Sequence, residues 1–194
     1  MGRIVSFRQM SNGTRADYEL LDQSEREYAR FLPQRILAAL RHLEHSIEGY
    51  PVSRLEHSLQ TATRAAADGA DEEMIVAALL HDIGDDLSPY NHAELGAAIL
   101  RPYVRAEVTW VVEQHGLFQT YFYVHHMGGD RFARERLRAH PWFDVCAHFA
   151  DRWDQASFDP DYPSKPLDFF EPMVQKIFTR PACDPRYARS AQAP

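Results

Sequence analysis

One dipeptide concentrates the chemistry of this chain. His81 and Asp82 close an apolar run, Ala77-Ala78-Leu79-Leu80, and Ile83-Gly84 follow them. Adjacent helical positions point about 100° apart. An imidazole and a carboxylate at a helix end can therefore address one metal ion from two sides, or the carboxylate can bridge two ions. A carboxylate buried beside an imidazole among apolar side chains is costly, and a cation between them removes that cost. A His-Asp pair alone is common and says little. Its place after an apolar helix and before a glycine stop is what points to metal.

Two ligands are too few for a catalytic site. The chain offers His57 in Leu55-Glu56-His57-Ser58-Leu59-Gln60, His92 just after a loop, His115 at a helix end, and Asp154 in Arg152-Trp153-Asp154-Gln155. With His81 and Asp82 these make four His and two Asp from five segments. Imidazole and carboxylate without thiolate suit iron or manganese better than a structural zinc. Six such ligands with one bridging Asp suit a dinuclear centre with open positions. Taken singly, His57 and His115 read equally well as satisfied core histidines. His42 and His45 read as helix-face residues, and His140 and His148 have no context that singles them out. His125 and His126 are candidates for contacts around the ligands or the substrate.

The elements that must carry these residues read almost entirely at helical period. Helices are expected over residues 17–30, 34–48, 54–68, 72–83, 93–100, 105–115, 131–139, 141–155 and 166–178. Ser53 and Asp71 are good N-caps, and Gly49, Gly69 and Gly84 good stops. Ile4–Phe7 and Tyr121–Val124 are the two short strand candidates. Residues 157–165 read as a structured loop and those from Pro181 as a frayed tail. The expected fold is an all-α helical bundle of roughly eight to ten helices. It forms one domain over 1–194, with an N-terminal helical arm over 15–49, a core over about 50–155, and a C-terminal helix and tail over 166–194.

Composition excludes several classes. The 194 residues carry a formal net charge of −7, with 45% apolar and 25% charged side chains. That is an ordinary globular balance, and its acidity argues against nucleic acid or an anionic membrane as partner. Two cysteines cannot build a disulfide framework, which points to a reducing, cytoplasmic compartment. Met1–Met10 has no signal-peptide pattern, and the longest apolar run, Met74–Leu80, is too short to span a bilayer. The expected partner is a small-molecule substrate.

The order His57 … His81-Asp82 … His92 … His115 … Asp154 resembles the HD-domain superfamily of helical metal-dependent proteins. LEHSLQ followed by AALLHDIG is similar to its small mixed-valence diiron oxygenases, which include organophosphonate-cleaving enzymes and, more distantly, myo-inositol oxygenase. The resemblance implies that His57, His81, Asp82 and Asp154 hold one iron, and that Asp82 bridges to a second held by His92 and His115. It implies an Fe(II)/Fe(III) pair working with O2 on a substrate chelated through a hydroxyl and a phosphonate oxygen. The carbon–phosphorus bond of a small 1-hydroxyphosphonate is then cleaved, releasing phosphate and a carboxylic acid. Glu48 and Tyr50 stand near the place of a Tyr and Glu that gate the second iron, so Tyr50 joins Asp82 as a catalytic candidate.

The chain departs from the phosphonate-cleaving pattern where that pattern has cations or a histidine. Gln119 follows the last His ligand by four positions, Asp85 and Asp86 follow the His-Asp pair, and Asp151 precedes Asp154 by three. Acidic groups with Phe118, Tyr121, Phe122, Tyr123 and Trp153 suit an ammonium or quaternary ammonium group. The expected substrate-binding residues are thus Asp85, Gln119, Tyr121, Asp151, Arg152 and Trp153. The expected substrate is zwitterionic, such as 1-hydroxy-2-(trimethylamino)ethylphosphonate, with a betaine as product. The alternatives are a metal-dependent HD phosphohydrolase of nucleotides or phosphate monoesters, and a metal-stabilised regulatory module.

Overall fold

A computed structural model describes residues 4–186. The described residues form eight α-helices: α1 (Arg15–Ala29), α2 (Leu32–His42), α3 (Arg54–Ala67), α4 (Glu72–Leu80), α5 (His92–Leu100), α6 (Ala106–Tyr123), α7 (Phe143–His148) and α8 (Leu167–Phe178). Short 3-10 turns and one π-helical segment, Phe149–Asp154, complete them. The described residues contain no strand. The fold is the expected all-α bundle.

Helix α4 is its axis. Met74 to Leu80 are all buried, so this helix is apolar on every face and must be surrounded. Helices α3, α6 and α8 pack around it, α5 lies on α6, and α2 closes against α8. Asp71 caps α4 by accepting the Met74 N–H, and Ser53 caps α3 by accepting that of Glu56. Two glycines set the distance between α4 and α5. A Cβ at Gly96 would lie 3.0 Å from the His81 carbonyl oxygen, and one at Gly84 would lie 2.7 Å from the His92 carbonyl oxygen and 2.9 Å from its Cα. The second obstacle is backbone, so only a shift of α5 relieves it. Gly84→Ala should therefore cost about 1–3 kcal/mol, read as a lower urea midpoint at unchanged m-value, while displacing His92.

Several elements differ from the sequence expectation. Ile4–Phe7 is not a strand, because Asp17 takes its polar groups instead: the Asp17 carboxylate accepts the Ser6 N–H at 2.7 Å and its hydroxyl at 3.0 Å. The same carboxylate forms a capping box with Thr14 at the start of α1. Tyr121–Val124 is not a strand either. Helix α6 runs through Gly116, which has no neighbour to meet, and reaches Tyr123. Helix α2 stops at His42, leaving Ser46–Ser53 as a loop turned by Gly49 at φ 106°. Helix α4 stops at Leu80, so His81 and Asp82 open a run of tight turns. Residues 131–139 hold a 3-10 turn, Ala133–Leu137, and not an α-helix. The segment from Pro181 is docked as far as Arg186, with the Cys183 N–H donating to the Pro102 carbonyl at 2.7 Å. The rest of the expected tail, 187–194, lies outside the described residues, as do residues 1–3 of Met1–Met10. Cys146 and Cys183 are both free thiols. Among the described residues no helix is long and apolar enough to cross a membrane.

Candidate metal centre

Five segments deliver the six expected ligands to one place. Helix α3 supplies His57 from its first turns, the end of α4 supplies His81 and Asp82, the first residue of α5 is His92, α6 supplies His115, and the π segment supplies Asp154. His57, His81, Asp82, His115 and Asp154 are buried. His92 is the accessible one, at 24% side-chain exposure.

The π segment matters to the direction of Asp154. Its wider turn, with the Gln155 N–H donating to the Ala150 carbonyl five residues back, inserts a residue into the helix. Asp154 faces His57 and His81, while Trp153 faces away and donates its indole N–H to Asp68 at 3.0 Å.

Asp82 divides the ligands into two groups. Its Oδ2 lies 3.3 Å from Nε2 of both His57 and His81, and Asp154 Oδ1 lies 3.2 and 3.6 Å from the same two nitrogens. Its Oδ1 lies 3.3 Å from Nε2 of both His92 and His115. Ligand atoms about 2.1 Å from one ion at right angles are about 3 Å apart, so each group has the spacing of a coordination shell.

The donor chemistry fits metal. Nδ1 of His57 lies 2.8 Å from the Ser157 carbonyl, Nδ1 of His81 lies 2.8 Å from that of Ala78, and Nδ1 of His115 lies 2.6 Å from that of Val112. A carbonyl only accepts, so each Nδ1 carries the proton and each Nε2 presents a lone pair. The Nε2 atoms of His57 and His81 are only 3.0 Å apart, and two facing lone pairs need a proton or a metal ion between them. Asp154 Oδ2 is buried without a hydrogen-bond partner, an orphan that a cation would satisfy.

Electrostatics within the cluster point the same way. Burial alone disfavours the charged form of each group, but the facing partners outweigh it. Hydrogen bonds that His57 donates to Asp154 and Asp82 raise it above the usual imidazole value, and the charge of Asp82 leads the same effect on His81. The His81 charge keeps Asp82 well below the carboxylate range, and the His57 hydrogen bond does so for Asp154. Protons and metal ions compete for these atoms.

Around the ligands, Phe158 stacks on His57 at 4.3 Å between centroids and Tyr50 stacks on Phe158 at 5.2 Å. The Arg54 guanidinium lies 5.0 Å from the Tyr50 ring centre. Burial raises the Tyr123 phenol above the usual range, and Tyr50 and Asp154 add to the shift. Gln119 donates to Asp154 Oδ1 at 2.7 Å. Arg54 and Phe158 escaped the sequence reading. Arg54 left a signal, since it precedes His57 by three positions and so shares its helix face. Phe158 left none, because it comes from an irregular loop.

The other expected substrate residues are dispersed. Asp85 is ion-paired with Arg54 at 2.6 Å and Asp151 with the buried Arg134 at 3.0 Å, while Asp86 lies 2.6 Å from Nδ1 of His42. Tyr121 is covered by Arg131 and Arg134, at 4.3 and 4.0 Å from its ring centre. Arg152 and Trp153 line a separate surface depression of about 240 Å³ with Arg64, Asp68 and Tyr162. Phe149 stands between Trp153 and His81. Asp85 and Asp151 thus already face arginines supplied by other elements, Asp86 faces an imidazole, and the three do not form one acidic cage.

Comparison with known proteins places this architecture in a class. A model of the HD domain matches residues 54–156, just over half of the chain, and the chain belongs to that family. It is also 41% identical over 78 residues to a [1-hydroxy-2-(trimethylamino)ethyl]phosphonate dioxygenase (glycine-betaine-forming) from Leisingera caerulea. That match covers 34% of this chain and 40% of the relative, so the chain spans about two fifths of the relative's length.

Proposed function

We propose that this protein is an O2-dependent diiron oxygenase that cleaves the carbon–phosphorus bond of a small 1-hydroxyphosphonate, with a trimethylammonium-bearing compound as the leading substrate. The observation that carries the reading is the orientation of Asp82, with one oxygen toward His57 and His81 and the other toward His92 and His115. The named activity of the Leisingera relative supports the substrate class.

Two irons in these groups would anchor the substrate's hydroxyl and phosphonate oxygens and relay electrons to O2. The overall change balances: the hydroxyl-bearing carbon becomes a carboxylate, phosphorus leaves as phosphate, and O2 accepts four electrons. The chain's own residues prepare the site. Asp82 and Asp154 give the His57–His81 side two carboxylates against one on the other side, and so favour the more highly charged ion there. Gln119 fixes Asp154 without adding charge. Tyr50 and Phe158 stack outward from His57, and Tyr123 is electrostatically coupled to Tyr50; a quaternary ammonium group beside these rings would gain cation–π attraction. This reading moves the cation contacts from Asp85 and Asp151 to the aromatic rings.

A metal-dependent phosphohydrolase is the second reading, because His57, His81, Asp82 and Asp154 complete a mononuclear donor set without His92. Iron-loaded, partly oxidised protein should show the EPR signal of a mixed-valence pair. It should consume O2 and release phosphate with 1-hydroxy-2-(trimethylamino)ethylphosphonate. Redox-silent metals with turnover of p-nitrophenyl phosphate would reverse the order of the two readings.

A further inference from the structure

We propose that Arg54 and Asp85 form a positioning pair for the second metal subsite, in which Asp85 orients His92 while Arg54 keeps Asp85 from becoming a ligand itself. The inference rests on the dinuclear reading above and concerns residues outside the six ligands.

His92 is held differently from the other three imidazoles. Nδ1 of His57, His81 and His115 each meets a backbone carbonyl at 2.6–2.8 Å. Nδ1 of His92 lies 3.2 Å from Asp85 Oδ1 and 3.3 Å from the Pro89 carbonyl. A carboxylate behind a ligating imidazole fixes the ring and raises its basicity. His92 also begins its helix and is the most exposed ligand, so it has the least packing to hold it.

Asp85 shares its two oxygens between two partners. Oδ1 faces His92, and Oδ2 accepts from Arg54 Nε at 2.6 Å. A terminal nitrogen of Arg54 lies 3.3 Å from Asp82 Oδ2. The side chains of Arg54 and Asp85 are 11% and 9% exposed, so water screens this pair poorly. One guanidinium thus touches the bridging carboxylate directly and His92 through Asp85.

The restraint on Asp85 follows from proximity. Asp82, Asp85 and His92 each offer a ligand atom, all within 4.8 Å of one another. Freed of Arg54, Asp85 is close enough to join the second shell and fill a coordination position. With Arg54 in place its charge is engaged, and the second subsite keeps only His92, His115 and the shared Asp82, leaving room for substrate or O2.

The two halves of the pair therefore have opposite effects on metal retention. Mn(II) titration of the full chain, following loss of the free-ion EPR signal, reads both subsites without turnover. Wild type should bind two ions. Asp85→Asn should weaken the second ion about tenfold or more, as loss of an outer-shell partner does. Arg54→Gln should bind it as tightly as wild type or tighter, while O2 consumption falls. Unfolding of the metal-free variants, followed by circular dichroism, verifies that each folds. Should Arg54→Gln not fold, Arg54→Met, which keeps the length of the side chain but removes its charge, replaces it with the same expected sign.

Equal weakening in both variants would mean a merely structural pair and overturn the proposal. So would unchanged binding in both with only KM raised, which would make the pair a substrate contact. A wild-type stoichiometry of one ion would instead sink the dinuclear reading, and the pair's role with it.

Discussion

If the protein is the diiron oxygenase proposed above, Asp82→Asn should reduce it from two bound metal ions to at most one and lower its turnover by more than about 100-fold. The magnitude is a floor, since loss of an outer-shell partner already costs 10–100-fold and Asp82 faces both ligand groups. Asn has the same shape, so the fold should persist. It has, however, one acceptor oxygen and no charge. Whichever way the amide turns, its NH2 points at one pair of imidazole nitrogens, either His57 and His81 or His92 and His115. The substitution also removes a carboxylate that Arg54 faces at 3.3 Å. Metal content by atomic emission, together with O2 uptake, measures both effects. Two tightly bound ions in Asp82→Asn would show that the carboxylate does not bridge.

Phe149→Ala should destabilise the fold by about 3–5 kcal/mol, a typical cost for deleting a buried ring, and lower the melting temperature by about 6–20 °C for a chain of this size. Phe149 is fully buried, with its ring 5.7 Å from His81, 6.3 Å from His115 and 5.6 Å from Trp153. It walls the ligands off from the depression lined by Arg152 and Trp153, so its removal leaves a cavity behind two imidazoles. Saturating metal should recover part of the loss, since a ligand at 100 times its dissociation constant adds about 2.7 kcal/mol. Thermal melts of metal-free and metal-loaded protein test this. A loss below about 1 kcal/mol would mean that the ring carries no packing at this place.

Much of the site was legible because its chemistry is local in sequence. The apolar run Met74–Leu80 announces a fully buried helix, and a His-Asp pair at its end has no cheap reason to be there without a cation. The other ligands were legible as types: imidazoles and a carboxylate beside apolar helix faces. Element ends were less legible. The helix expected over 105–115 does not end there: Gly116 meets nothing, and the helix runs on to Tyr123. Ile4–Phe7 reads as a strand, yet a single carboxylate eleven residues beyond Ser6 takes its polar groups.

The acids expected to contact substrate were read without their partners, for one physical reason. Charge signs are visible in a sequence, but partners are not. Asp85 and Asp151 look like free acids until Arg54, 31 positions away, and Arg134, 17 positions away, are folded against them. The π turn at Phe149–Asp154 is equally silent, and it is there that Asp154 turns to His57 and His81 while the buried Trp153 turns to Asp68.

The sequence by itself determined an all-α fold, an apolar axis and the set of groups able to hold metal, because burial and donor type are properties of single residues and their spacing. Only the tertiary structure decided that Asp82 divides its oxygens between two imidazole pairs, that Asp85 stands behind His92, and that the acids near the site are already paired. Those facts depend on distances of about 3 Å between segments far apart in the chain, and packing alone sets such distances.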